Sequence, residues 1–117
     1  MDVPFGAEFD ANVALAAAPV ALIVIAPDGM TIAFANDAFV ALTGYEADDC
    51  IGRSLDLIRG PATDPAAFAG IVHAIHVREA LSCEMSIHAR SGAPHGVIMA
   101  ARPHASGGGA TIALCET

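Results

Sequence analysis

The sequence predicts an α+β fold, in which a five-stranded antiparallel sheet carries short helices over one face. Two β-rich segments lie near the start of the chain, and three more follow residue 80. Between them, residues 36–77 contain helix caps and helix formers in place of alternating strand patterns. Because the last three strands are joined by short turns, they are expected to form an antiparallel meander, with the helices packed on one face.

The first two strands are predicted as a hairpin. Residues 20–26 (VALIVIA) form a continuous β-rich run, which is typical of a buried strand. Residues 27–29 (PDG) predict a turn, because Pro presets φ and Gly permits a positive φ. Residues 30–35 (MTIAFA) then alternate in hydrophobicity, which predicts the second strand.

Four short helical segments are expected after this hairpin. Asn36 is a good N-cap for a helix over residues 37–43, which Gly44 closes. Residues 46–50 and 52–59 each predict a further helical turn. The longest helix runs to residue 77, with Pro65 at its first turn and Thr63 or Asp64 as its cap; its predicted apolar stripe is Phe68, Ile71, Val72 and Ile75.

The remainder of the chain is predicted as three strands. Residues 80–90 alternate around Leu81, Cys83, Met85 and Ile87, and residues 95–104 and 110–116 are also β-rich. Turns are expected at residues 91–94 (SGAP) and 105–109 (ASGGG). The main domain therefore spans residues 20–117, and residues 1–19 are expected to form a helical cap and possible dimerisation segment.

Composition excludes several classes of function. The 117-residue chain has a net charge of −8, and its five basic residues are scattered arginines. Without a basic patch, binding to nucleic acid or to an anionic membrane is not expected. The apolar run at residues 13–26 is too short to span a bilayer, and isolated cysteines favour a cytoplasmic location. No catalytic constellation is present, so we expect no enzymatic activity from this chain.

Two segments resemble a known superfamily. Residues 34–53 (FANDAFVALTGYEADDCIGR) resemble PAS domains in general, and residues 60–75 (GPATDPAAFAGIVHAI) are similar to the light-oxygen-voltage (LOV) branch. The likeness extends from about Val20 to Cys115. The resemblance implies a sensory module in which a flavin lies between helices and sheet, and in which light joins a cysteine of a G-x-N-C-R-F-L-Q motif to the flavin ring.

The flavin-binding residues of that family are replaced in this chain. The resemblance places Leu55 where the family has its photoactive cysteine, and a leucine has no thiol to form the adduct. The resemblance places Asp56 and Val72 at the positions of the family's two phosphate-binding arginines. It places Cys115 at the position of the family's glutamine on the last strand. The two ring-binding asparagines correspond to Ile87, or to His88 if the alignment slips by one residue, and to Val97.

These replacements predict a degenerate pocket that binds no flavin or other cofactor and has no photochemistry. Its expected members are Leu55, Asp56, Ile58, Val72, Ile87, Val97 and Cys115. Two interpretations remain open: a filled core, which close packing favours, or a cavity for an apolar small molecule. Cys115 is expected to be buried in its strand and Cys50 to be more exposed. The histidines are expected at the surface, without a metal site.

The resemblance then implies a bacterial two-component signalling role. The leading hypothesis is a sensory or regulatory module joined to an effector, such as a histidine kinase or a cyclic-dinucleotide enzyme. The alternative is a ligand-free interaction module, in which the sheet face and the helix over residues 9–18 mediate homodimerisation.

Overall fold

The computed structural model describes residues 20–117. The helix predicted over residues 9–18 and its dimerisation role lie outside the described residues. The elements within them are β1 (Ala21–Ile25), β2 (Ile32–Ala35), α1 (Asp37–Thr43), α2 (Ala47–Cys50), a 3₁₀ helix (Leu55–Ile58), α3 (Pro65–Val77), β3 (Leu81–His88), β4 (Pro94–Pro103) and β5 (Ala110–Glu116).

The five strands form one antiparallel sheet in the order β2-β1-β5-β4-β3. The last strand therefore lies in the centre and joins the N-terminal hairpin to the C-terminal meander. Ile23 pairs with Ile112 across β1 and β5, and Met99 pairs with Leu114 across β4 and β5. All four side chains are buried, which defines the inner face of the sheet. The predicted fold class is confirmed.

The turn between β1 and β2 is held by one carboxylate. Asp28 Oδ1 accepts hydrogen bonds from the backbone N–H groups of Met30 (2.9 Å) and Thr31 (2.8 Å), and Asp28 Oδ2 accepts one from the Thr31 hydroxyl. These bonds, with the Thr31 hydroxyl contributing most, lower the pKa of Asp28 because they stabilise its charged form.

Asn36 and Asp64 begin the two longer α-helices. Asn36 Oδ1 accepts from the backbone N–H of Phe39 at the start of α1, and Gly44 closes that helix with φ of 78°. Asp64 caps α3 by accepting from the backbone N–H of Ala66. Of the two predicted caps for α3, the structure therefore assigns the role to Asp64.

Helix α3 lies against β3 and β4 on the inner face of the sheet. Its buried residues are Phe68, Ile71, Ala74 and Ile75. Three residues of the predicted stripe are buried, whereas Val72 is half-buried at the margin of the core, and Ala74 is buried in addition.

Candidate functional site

The candidate site is the segment of residues 52–64, which connects α2 to α3. Leu55 donates its backbone N–H to Met30 O (2.8 Å), so the 3₁₀ helix is fixed to the chain entering β2. Ser54 caps this helix by accepting from the backbone N–H of Asp56 (3.1 Å). The segment therefore has a defined backbone frame, independent of any ligand.

Four of the predicted pocket residues come together in the core. Leu55 and Ile58 project from the 3₁₀ helix, Ile87 from β3 and Val97 from β4, and each is 0% exposed. All four belong to one continuous apolar cluster, which also contains Phe39, Ile71, Met85 and Met99. This region can contact apolar groups, but its four predicted pocket side chains offer no hydrogen-bond donor or acceptor.

Asp56 and Val72 lie elsewhere, on an open groove with a volume of about 710 Å³. The groove runs between the 3₁₀ helix and α3, and Arg59, Phe68 and His73 also line it. Arg59 Nη1 lies 3.6 Å from Asp56 Oδ1, and the guanidinium lies 5.4 Å from the centre of the Phe68 ring. Because both charged side chains are about half exposed, this ion pair contributes only about 0–1 kcal/mol.

The predicted position of Cys115 in the pocket is wrong. Cys115 is exposed and pairs with the exposed Ile98 on the outer face of the sheet. Successive side chains of a strand point to opposite faces, and Ile112 and Leu114 already occupy the inner face of β5. Leu114 is therefore the core residue at this end of the strand.

The expected exposure of Cys50 is also wrong. Cys50 is the last residue of α2, and its side chain is 0% exposed within the core cluster. Burial raises the pKa of the Cys50 thiol, and the nearby carboxylate of Asp49 raises it further, against an opposing effect of Arg53. The Cys50 thiol is therefore held in its protonated form, which is the less nucleophilic one.

His88 and Thr63 are two polar residues of this region whose roles differ from those that the sequence suggested, an alternative flavin-ring position and a helix cap. His88 was expected at the surface, but it is only 9% exposed. Its Nε2 atom lies 3.0 Å from the backbone nitrogen of Ala62. Thr63 donates its hydroxyl to Ser86 O (2.7 Å) and accepts from the backbone N–H of Gly60 (3.1 Å). Both residues tie residues 60–64 to β3. The one sequence signal was Gly60, which leaves room for the imidazole.

Metal-ligand clusters and membrane-spanning helices are absent from residues 20–117. No group of three or more His, Cys, Asp or Glu side chains in this part of the chain is arranged to hold a metal ion. None of the helices described has both the length and the apolar character needed to cross a membrane.

Family comparison places the chain in the PAS domain family. A model of that family, described as a PAS domain, matches residues 19–116, so the chain belongs to it. Among curated proteins, a blue-light-activated histidine kinase of Brucella anthropi is 40% identical over 68 residues. That match covers 58% of this chain but only 14% of the kinase.

Solved structures show the same fold. An RNA-binding light-oxygen-voltage receptor superposes with a TM-score of 0.86 at 21% identity, covering 98% of this chain and 35% of the receptor. The LOV domain of a blue-light activated histidine kinase from Erythrobacter litoralis superposes with a TM-score of 0.77 at 20% identity, covering 85% and 96% of the two chains. The chain is thus a PAS domain with LOV structural neighbours, related in sequence to blue-light histidine kinases.

Proposed function

We propose that this chain is the sensory PAS module of a larger signalling histidine kinase, and that it signals without flavin photochemistry. The kinase assignment is supported by the sequence match to the Brucella anthropi protein, of which the matched region is a small part. The module itself carries no enzymatic activity in this proposal, and its output depends on an effector domain or partner protein.

The loss of flavin binding is supported by one observation above all. Leu55, Ile87 and Val97 stand where the family has polar or reactive groups, and all three are fully buried in a continuous apolar core. A flavin ring placed there would have polar edges without partners. Each such unpaired polar group costs about 1–3 kcal/mol, so several together would remove most of the binding free energy.

The charge of the groove supports the same conclusion. Asp56 stands at a phosphate-binding arginine of the family, and a carboxylate repels a phosphate. Arg59 supplies a cation in the same groove, but it pairs with Asp56 at 3.6 Å. Val72, at the second arginine position, lines the groove with a hydrocarbon side chain.

A binding titration with flavin mononucleotide tests this proposal. The purified chain is expected to be colourless and to leave flavin fluorescence unchanged at protein concentrations that saturate a LOV domain. Asp56→Arg/Val72→Arg is the matched variant, because both positions lie on the groove and neither is fully buried. It should gain weak affinity for the phosphate group. Stoichiometric flavin on the unmodified chain would contradict the proposal.

The three cysteines provide a second test, in which light is applied in the presence of flavin. No light-dependent loss of flavin absorbance is expected, because Leu55 stands at the reactive position and Cys115 faces away from the core. If an adduct formed and Cys50→Ala abolished it, Cys50 would have taken over the role of the missing cysteine, and the proposal would be wrong.

A ligand-free interaction module is the second candidate. The exposure of Ile98 (44%) beside Cys115 on the outer sheet face favours it, because apolar residues on a sheet face suit contact with another chain. Light scattering of the chain and of an Ile98→Glu variant tests homodimerisation. A dimer that Ile98→Glu dissociates would support this candidate, and a monomer in both would exclude it. Native mass spectrometry of the same samples would reveal a retained apolar small molecule.

A further inference from the structure

His88 is the one buried histidine among residues 20–117. Within residues 20–117, the buried polar side chains are Asn36, Thr43, Thr63 and His88. Imidazole is the side chain whose charge normally changes between about pH 5 and 8. His88 lies at the end of β3, and its ring packs against Gly60 so closely that a Cβ at residue 60 would lie 2.3 Å from it.

The hydrogen bonds of His88 define a neutral ring. Nε2 lies 3.0 Å from the backbone nitrogen of Ala62, which can only donate, so Nε2 must accept and carries no proton. Nδ1 lies 3.0 Å from the carbonyl oxygen of Gly92, which can only accept, so Nδ1 must donate. The ring thus joins the loop of residues 60–64 to the β3–β4 turn at residues 89–93.

Protonation is incompatible with this arrangement. A proton on Nε2 would point at the N–H of Ala62, replacing an attraction by a repulsion between two donors. The resulting cation would also be buried, and no ion pair of His88 with a carboxylate is present in the described part of the chain. Burying an unpaired charge is strongly unfavourable.

The charged groups on the surrounding elements are engaged elsewhere or exposed. On the loop, Asp64 caps α3, and on the 3₁₀ helix Arg59 pairs with Asp56. On the turn, Arg90 lies 4.0 Å from Asp49. The neighbouring strand residues are His95 on β4, which pairs with Glu116 at 3.6 Å, and Glu84 on β3, which is exposed.

A second tether in the same loop does not depend on pH. Thr63 donates its hydroxyl to Ser86 O, and this bond involves no titratable group. Acid would therefore release Ala62 from His88 while Thr63 keeps the loop on β3. The expected change is local and reversible, and does not unfold the domain.

We propose that His88 is a proton-sensitive latch, which holds the loop of residues 60–64 against the β3–β4 turn when neutral and releases it when protonated. The latch gives the module a pH response that requires no flavin, light or bound ligand. This proposal rests only on the contacts of His88 and does not depend on the assignment of the chain to a histidine kinase.

Nuclear magnetic resonance of the full 117-residue chain tests the latch. At about pH 8, the ¹⁵N signals of the His88 ring should show a protonated Nδ1 and an unprotonated Nε2. On acidification to about pH 5, the Ala62 amide proton should shift with the same midpoint as the ring. The protection of that amide from hydrogen exchange, corrected for intrinsic rates, should fall about tenfold.

Two variants separate the latch from a general effect of acid. His88→Gln places an uncharged acceptor near Ala62, so the Ala62 response should disappear. His95→Gln removes another partly buried histidine on the neighbouring strand and should leave the response unchanged. The latch would be disproved by the opposite tautomer at neutral pH, by an Ala62 amide that ignores ring protonation, or by an unchanged response in His88→Gln. If His88→Gln failed to fold, the ring tautomer and the pH response of the Ala62 amide in the unmodified chain would still test the proposal.

Discussion

At the scale of single residues, Asn36 connects the first strand to the first helix. Its side chain is 1% exposed and accepts from the backbone N–H groups of Leu22 (2.9 Å) and Phe39 (3.0 Å). It also donates to Val20 O (2.9 Å). One side chain thus fixes the point where the chain enters the sheet relative to α1.

Replacing Asn36 separates its two roles. Asn36→Ala leaves three backbone groups without these partners and should lower the free energy of unfolding by about 3 kcal/mol. Asn36→Ser retains an acceptor for the Phe39 N–H but cannot reach β1, so it should recover only the capping contribution of about 1 kcal/mol. Urea denaturation measures both. Equal stabilities for the two variants would show that capping is not a separate contribution.

The buried thiol of Cys50 makes stability depend on alkaline pH. Because the folded state raises its pKa, the unfolded chain loses this proton first as the pH rises. The stabilisation is therefore complete below the ordinary thiol pKa and is lost as the pH rises towards the folded value. Between the unfolded and folded pKa values of Cys50, this thiol lowers the free energy of unfolding by at most about 1.4 kcal/mol per pH unit.

Denaturation at several pH values between about 7 and 10 tests this linkage. Cys50→Ala should reduce the alkaline loss of stability, although it also leaves a small cavity. Cys115→Ala is the control, because that thiol is exposed, and it should behave like the unmodified chain. If the free energy of unfolding depended on pH in the same way in both variants, Cys50 would not be the source of the alkaline loss of stability.

At the scale of elements, the 3₁₀ helix contributes its leucines to the core unequally. Leu55 is 0% exposed, whereas Leu57 is only partly buried. Leu55→Ala should cost about 3 kcal/mol in unfolding free energy if its surroundings are closely packed, and Leu57→Ala should cost about 1 kcal/mol. Thermal and urea denaturation would measure the difference. A Leu55→Ala cost as small as that of Leu57→Ala would indicate that Leu55 borders an existing cavity.

The elements themselves could be predicted because their signals are local. The pattern of alternation, the Asn36 cap and Pro65 each act within a few residues, and the strands and helices form where these signals predict them. The sheet order could not be predicted in the same way, since it depends on contacts between β1 and β5, which are far apart in sequence. Local patterns do not indicate which distant strand a given strand will pair with.

The candidate site could be predicted only in part, for the same reason. Leu55, Ile87 and Val97 are buried together, and the family resemblance had assigned all three to pocket positions. Cys115 was misplaced although β5 contains the correcting signal: inward-facing Ile112 and Leu114 require Cys115 to face outward. The burial of His88 depends on a loop 26 residues away, and no local pattern reveals it.

At the scale of the whole molecule, the chain has the PAS fold, and we propose that the groups that serve flavin in the LOV branch are replaced in it. The core that includes Leu55 and Ile58 holds the helices on the sheet, as hydrocarbon packing does in other domains. In the proposed function the sensory role is separated from light chemistry, and signals would reach the fold through other contacts, such as the proposed His88 latch.

The absorption spectrum of the purified chain, recorded after incubation with excess flavin mononucleotide and removal of the unbound fraction, tests the central claim most directly. The spectrum should contain no visible band and should not change under blue light. A retained flavin band in the blue region that bleaches on illumination and recovers in the dark would contradict the claim.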